Sequence, residues 1–164
     1  MTQQEVKTLY PQAQPLPRKV DGLTLLTSKG ARVAGREADL GFFFLDDDRL
    51  ARVMVRFPKK PAHDSQYITD YEELQKLLTE KYGPPVKERT IWKEDLFRDD
   101  RSRWHMAVAA GHLVMGSEYA TAGSKITVLL FGREFKITLT LSYESKELGK
   151  LIEAARDAEK RKGL

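Results

Sequence analysis

The amino-acid sequence predicts an α+β protein in which an antiparallel sheet of about eight strands is combined with three helices. Two long stretches alternate apolar and polar residues with a period of two, and each has room for about four strands. A segment with helical spacing precedes each stretch, and a third one closes the chain. With 164 residues, 41% of them hydrophobic, the chain has the size and apolar content of a single domain, 1–164.

The first helix is predicted at Gln3–Tyr10. Thr2 and Glu5 have the spacing of a capping box, in which the hydroxyl accepts from the amide of the third helical residue and the carboxylate accepts from the capping amide. Val6 and Leu9 would then point to the core, and a proline directly after the helix limits its extension.

The stretch Gly22–Phe57 predicts a strand meander. Its turn signals are Ser28–Gly30, Gly35–Glu37 and Asp46–Asp48. The run LGFFFL, Leu40–Leu45, is apolar on both faces, so it is predicted to be a central strand with cover on its second face.

The second helix is predicted to start at a capping box, Thr69–Glu72, and to end at Gly83. Glycine can adopt the positive φ that ends a helix, and the two prolines that follow cannot continue it. Its core residues are predicted at helical spacing: Tyr71, Leu74, Leu77 and Leu78.

The second strand stretch contains KERTIWKEDLF, RWHMAVAAG, HLVMGSEY, KITVLLF and EFKITLTLSY, all of which are predicted as strands. The last one alternates most clearly. Phe135, Ile137, Leu139 and Leu141 would point to the core, and Lys136, Thr138, Thr140 and Ser142 to solvent.

A final helix, 145–160, is predicted to bury Leu148, Leu151, Ile152 and Ala155. The helix, strand, helix, strand order also predicts two helix-plus-four-strand repeats, 1–62 and 63–143, with this helix after the second.

Catalytic and metal-binding motifs are missing from the sequence. It has no cysteine, no GxSxG or SxxK nucleophile motif, and a glycine pattern at Gly30–Glu37 without the Lys and Ser or Thr of a P-loop. His63, His105 and His112 lack metal-ligand spacing, although the last two are predicted to approach each other on neighbouring strands. The sequence therefore predicts a protein that is not an enzyme and uses no metal or cofactor.

The charge pattern predicts a mixed surface. There are 28 basic and 24 acidic residues, giving a net charge of +4, and the basic residues form only small spots at Lys59 and Lys60 and at Lys160–Lys162. This is no strong nucleic-acid signal. No apolar run reaches the roughly 18 residues of a transmembrane helix, and no signal segment opens the chain.

Four stretches together resemble a known group of proteins: GREADLGFFFLDDDRLARVMVRF, YEELQKLLTEKYGPP, ITVLL and TLSY. They are similar to small exported bacterial proteins of unknown function, whose sheets are of the type found in the β-lactamase-inhibitory-protein-like fold and in small outer-membrane-assembly lipoproteins. The resemblance implies a sheet that presents one face to a protein partner, and a periplasmic or cell-envelope location once an upstream signal is removed. Without such a signal, the cytoplasm is expected.

The leading hypothesis is a non-enzymatic binding protein of the bacterial cell envelope that engages another protein through its sheet face. Candidate surface residues are Arg52, Met54, Arg56, Trp92, Trp104 and Tyr119, because arginine and aromatic side chains often anchor interfaces. One alternative is a small-ligand carrier or hydrolase with a pocket between sheet and helix. Another is a cytoplasmic nucleic-acid-associated module that uses Arg56, Lys59 and Lys60.

Overall fold

The computed structural model describes residues 1–161 and has the predicted α+β class. Its helices are α1 (Gln3–Leu9), α2 (Gln66–Tyr82), α3 (Trp104–Ala109) and α4 (Gly149–Arg161). Its strands are β1 (Gln14–Pro15), β2 (Thr24–Val33), β3 (Arg36–Phe44), β4 (Leu50–Arg56), β5 (Lys87–Trp92), β6 (Leu113–Ala120), β7 (Ser124–Arg133) and β8 (Lys136–Ser145). They form one antiparallel eight-stranded sheet in the order β1-β2-β3-β4-β8-β7-β6-β5. Among these residues four helices are present, so the prediction of three was wrong.

The chain forms two compact units. The first contains Met1–Val55 together with Ser142–Leu164, and the second contains Arg56–Leu141. The first unit is therefore assembled from both ends of the chain, and the second is continuous in sequence. The single-domain organisation and the repeat halves 1–62 and 63–143 stay predictions.

The N-terminal capping box is confirmed in the first unit. The Thr2 amide donates to the Glu5 carboxylate at 2.6 Å, and the Glu5 amide donates to the Thr2 hydroxyl at 3.3 Å. Val6 is fully buried, but Leu9 is 63% exposed, so its predicted burial was wrong. The helix ends at Leu9, and the ring of Tyr10 instead lies 5.0 Å from that of Phe42.

Of the two turns predicted between Gly22 and Leu40, the one at Ser28–Gly30 was wrong, and the one at Gly35–Glu37 lies one residue later than the turn observed. Ser28–Gly30 is not a turn, because β2 continues through it with a register shift between Ser28 and Ala31. The chain reverses at Ala34 and Gly35, whose φ angles of +50° and +74° are those that a two-residue hairpin turn requires. The predicted turn at Asp46–Asp48 is confirmed by a 3.0 Å hydrogen bond from the Asp48 amide to the Leu45 carbonyl.

Strand β3 is central, as predicted, and Phe42, Phe43 and Phe44 are all buried. Under α4, one cluster of core residues of the first unit consists of Leu23, Leu25, Phe43, Leu45, Ala51, Leu148 and Ile152. Leu151 is 45% exposed, which corrects its predicted burial. Leu148, the residue before α4, and Ile152, four residues later, lie on the side of the helix that is buried, and Leu151 lies about 100° away from Ile152 around the helix. Lys162, part of a predicted basic spot, lies outside the described residues.

In the second unit, α2 begins before the predicted capping box. Its N-cap is Ser65, and Thr69–Glu72 lies inside the helix, so that prediction was wrong. Leu77 is 45% exposed and corrects the predicted core, whereas Gly83 ends the helix with φ of +83° as expected.

Strand β8 buries Ile137, Leu139 and Leu141, as its alternation predicts. Phe135 is 81% exposed, and its predicted burial was wrong because it lies in the two-residue turn that joins β7 to β8. The segment RWHMAVAAG, predicted as a strand, forms α3, where Ala107 and Val108 are fully buried.

Candidate interaction surface

Both helices of the second unit pack on the same face of β5–β8. From α2, the Tyr71 hydroxyl lies 2.8 Å from the Ser117 hydroxyl, and the Gln75 side-chain amide donates to the same oxygen at 3.0 Å. From α3, the Val108 carbonyl lies so close to Gly132 that a Cβ there would be 1.8 Å from its oxygen. Because Ser117 pairs with Val128, the even-numbered residues of β7, including Gly132, point to the same side as Ser117.

In β5–β8, the residues that alternate with those facing α2 and α3 point to the opposite side of the sheet. They form a surface that we call the open face. Every one of them is half-buried or exposed. In β5 and β6 they are Lys87, Arg89, Ile91, Val114, Gly116, Glu118 and Ala120. In β7 and β8 they are Lys125, Thr127, Leu129, Phe131, Arg133, Lys136, Thr138 and Thr140.

Arg56 belongs to the same face. The amide of Phe57 donates to the carbonyl of Leu139, which points to the helix side. Arg56, the preceding residue, therefore points to the side of Thr140, and it is exposed.

The centre of the open face is apolar. Ile91 pairs with Val114, and Arg89 pairs with Gly116, which pairs in turn with Leu129. A Cβ on Gly116 would lie 3.2 Å from Leu129 Cδ1, so the leucine side chain extends over the glycine. Ile91, Val114, Leu129 and Phe131 form one partly exposed apolar strip across three strands.

The margin of the open face is basic. The open face has six basic residues and one acidic residue, Glu118, which gives it a net charge of +5, whereas the whole chain carries +4. The remainder of the chain is therefore close to neutral. The basic residues of the open face are Arg56, Lys87, Arg89, Lys125, Arg133 and Lys136. Glu118 lies 3.9 Å from Lys125, and Arg133 lies 3.8 Å from Glu134 in the adjoining turn.

Arg52 is buried in the first unit, and its predicted place on an exposed surface was wrong. It is 7% exposed, with Nε 3.1 Å from the Glu144 carboxylate and the guanidinium 5.1 Å from the centre of the Phe43 ring. Met54 is half-buried and packs against the core beneath α4. A role of Met54 in partner binding stays a prediction.

Tyr119 is also buried, at 1% exposed, so its predicted place on an exposed surface was wrong. Its hydroxyl donates to the Gln75 carbonyl at 2.9 Å and lies 3.1 Å from the Thr79 hydroxyl. Burial raises the pKa of the Tyr119 phenol and also that of the buried Tyr71 phenol. These groups fix α2 on the sheet.

The two tryptophans are brought together, with ring centres 5.4 Å apart in an edge-to-face arrangement. Trp104 Nε1 donates to the Arg98 carbonyl at 3.1 Å, and the Arg101 guanidinium lies 4.7 Å from the Trp104 ring centre. Both Trp92 and Trp104 are half-buried. They hold the segment between β5 and α3, and a role in partner binding stays a prediction.

The basic loop after β4 is exposed at Lys59 and Lys60, and Lys60 lies 3.5 Å from the Asp64 carboxylate. His105 lies in α3, so the prediction that it lies on a strand beside that of His112 was wrong. Among residues 1–161, no three His, Asp or Glu side chains gather as a metal site would require. Within the same range, no helix combines the length and apolarity needed to cross a bilayer.

A depression of about 280 Å³ lies beside α4 in the first unit. Its lining residues are Gly22, Leu45, Asp46, Asp47, Arg49, Leu151 and Ala155. The Asp47 carboxylate lies 2.7 Å from the Arg49 guanidinium, which holds the pKa of that carboxyl below its usual range, and Asp46 pairs with Lys19. Its charged groups are thus paired with one another or with near neighbours.

No protein-family model, curated protein or solved structure matches this chain. The resemblance to exported proteins with a β-lactamase-inhibitory-protein-like fold therefore stays a prediction.

Proposed function

We propose that this protein is a non-enzymatic binding protein that engages a protein partner through the open face. The observation that carries the proposal is the partly exposed apolar strip of Ile91, Val114, Leu129 and Phe131, on the side of β5–β8 opposite to α2 and α3. Contiguous apolar side chains bordered by charged ones are characteristic of protein-binding surfaces.

The size of the open face indicates a modest interface. Four strands about 4.8 Å apart, each contributing about eight residues at about 3.3 Å, cover roughly 500 Å². Stable complexes bury about 800 Å² on each partner, so a partner seated only here would form a transient complex. Leu129 and Phe131 lie near the middle, where truncation to alanine costs the most affinity in such interfaces.

The alternatives receive less support. The charged groups lining the depression beside α4 are paired, which leaves few groups to orient a small ligand there. The basic margin of the open face would suit nucleic acid, and we treat that as an outcome of the test.

A photo-crosslinking amino acid placed at Ile91 in the protein's own host tests the proposal. Leu77 on the outside of α2 is the matched control, since the two side chains are 44% and 45% exposed. We expect a protein adduct of defined mass from Ile91 and none from Leu77. The adducted protein, once purified, should bind the wild-type chain and lose that binding with Leu129→Asp.

Equal adducts from both positions, or none from Ile91, would show that the open face has no protein partner. A nuclease-sensitive adduct at Ile91 would favour the nucleic-acid module instead. Retained binding by Leu129→Asp, with the variant folded by circular dichroism, would move the interface elsewhere.

We further propose that the binding takes place in the bacterial cell envelope, supported by the resemblance of Gly35–Phe57 and Tyr71–Pro85 to exported proteins. Fractionation of the native host, with the mature N-terminus read by mass spectrometry, tests this part separately. A processed protein in the envelope fraction is expected. An unprocessed cytosolic protein would refute the location and leave the binding proposal standing.

A further inference from the structure

The charge on the open face carries information about the partner. We infer that the partner presents an acidic polypeptide surface, in which carboxylates flank a small number of apolar side chains. This inference rests on the proposed function of the open face. It adds the chemistry by which that face selects what it binds.

The positions of the charges on the open face indicate what a complementary partner surface would look like. The apolar strip lies at the middle of β7, with Lys125 at one end of that strand and Arg133 at the other, about 26 Å away at about 3.3 Å per residue. Lys87 and Arg89 border the strip on β5, and Lys136 borders it on β8. A matching surface would place apolar groups in its centre and carboxylates around them.

Three cations of the open face are available for a partner. Lys87, Arg89 and Lys136 are exposed and form no ion pair with the other residues of 1–161. The pairs of Lys125 with Glu118 and of Arg133 with Glu134 are long, at 3.9 and 3.8 Å. Pairs of that length at a surface are weak, so a carboxylate from a partner can replace them at small cost.

The same surface is poorly suited to nucleic acid. Single-stranded nucleic acids bind sheet faces by stacking bases on several aromatic side chains. Phe131 is the one aromatic residue of the open face, and the positions around it hold Leu129, Val114 and Thr138. Aliphatic and threonine side chains offer packing to a polypeptide but no stacking platform to a base.

Fluorescence anisotropy with the full chain tests the inference. The probes are a short labelled peptide with two central leucines flanked by glutamates, the same peptide with lysines, and a mixed-sequence DNA single strand. We expect the glutamate peptide to bind at least about tenfold more tightly than the lysine peptide, with affinity falling about tenfold between about 0.02 and 0.5 M salt.

Variants locate the effect. Replacing both cations in Arg89→Gln/Lys136→Gln should weaken the glutamate peptide by about fivefold or more, mainly through a slower on-rate. Lys76→Gln, which removes an exposed charge from the outside of α2, should change it less than about twofold. Leu129→Ala should instead raise the off-rate.

Equal binding of the two peptides, tighter binding of the DNA, or an equal loss in Lys76→Gln would overturn the inference. Failure of the proposed function is recognised separately, because it is read from the Ile91 adduct and not from these probes. If Ile91 yields a protein whose affinity is insensitive to salt and to Arg89→Gln/Lys136→Gln, the partner is not acidic, although the open face still binds it.

Discussion

The contact between α3 and β7 depends on the absence of a side chain at Gly132. A Cβ built there would lie 1.8 Å from the Val108 carbonyl oxygen and 2.9 Å from the Ala109 Cα, both of them backbone atoms. No rotation of a side chain can relieve such a contact. Gly132→Ala must therefore move α3 away from the strand by more than an ångström.

The cost of that movement follows from what α3 buries. Ala107 and Val108 are both 0% exposed. Returning a buried valine to water costs about 1.5–3 kcal/mol and a methyl group about 0.8 kcal/mol, so detachment of the helix would cost about 2–4 kcal/mol. If the helix stayed and the contact were strained, overpacking would cost about 1–3 kcal/mol. We expect a loss of about 3 kcal/mol, a large part of a stability of about 5–15 kcal/mol.

Urea unfolding followed by circular dichroism measures the effect, and Gly123→Ala is the matched control. Neither glycine has a positive φ, but nothing lies within 4 Å of a Cβ at Gly123. Alanine there should leave the free energy of unfolding unchanged or raise it by about 0.4–1 kcal/mol. The fluorescence of Trp104, the first residue of α3, should also change in Gly132→Ala. A Gly132→Ala variant within about 0.5 kcal/mol of wild type would refute the packing of α3 described above.

Three further perturbations test other parts of the structure. Above about pH 10 the free energy of unfolding should fall, because burial raises the pKa of the Tyr71 phenol and the folded state holds its proton more tightly than the unfolded state. In Tyr71→Phe, urea unfolding should show a shallower fall with pH, and an unchanged slope would contradict this. Gly22→Ala should cost about 2–3 kcal/mol, because φ is +76° and the Cβ would lie 2.3 Å from the Ala155 carbonyl oxygen; unaltered hydrogen exchange in α4 would argue against it. Trp104→Phe loses the donor to the Arg98 carbonyl, so trypsin should cleave the adjoining segment several-fold faster, and equal cleavage rates would show that the hydrogen bond does not hold it.

Local patterns in the sequence predicted the elements whose structure depends on local chemistry. The capping box of Thr2 and Glu5 needs only one helical turn, and the alternation of Ile137, Leu139 and Leu141 needs only an extended chain with one covered side. Gly83 ends α2 through its own positive φ. Each of these features is determined within a few residues.

The predictions that were wrong concern features whose structure depends on other parts of the chain. The helix α3 has six residues, too few for a helical period to be recognised, and it is held by contact with Gly132 on another strand. Arg52 can be buried because Glu144, which is far away in sequence, and the Phe43 ring of the preceding strand lie beside it. Tyr119 can be buried because its hydroxyl donates a hydrogen bond to a carbonyl of α2.

The sequence did not predict the open face, for a related reason. The segment SKITVLLF has apolar residues on both sides of the strand, so it reads as buried throughout and Leu129 and Phe131 do not stand out. The sequence did predict a solvent-facing side of β8, at Thr138 and Thr140. Predicting that this exposed face continues onto β7 requires knowing that the two strands are neighbours and that both helices lie on the other side of the sheet.

The division of the first unit between the two ends of the chain has a consequence for biosynthesis. Its core needs Leu148 and Ile152, which are made about 100 residues after Phe43, whereas the second unit, Arg56–Leu141, is complete before either is translated. We therefore expect the second unit to fold first on the ribosome, although the first unit contains the N-terminal residues, which usually fold first. Nascent chains arrested after residue 141 and clear of the exit tunnel should resist protease in the second unit and be cut around Phe43. Such a chain would keep β2 and β3 exposed until the last part of synthesis, a period in which a chaperone could bind them.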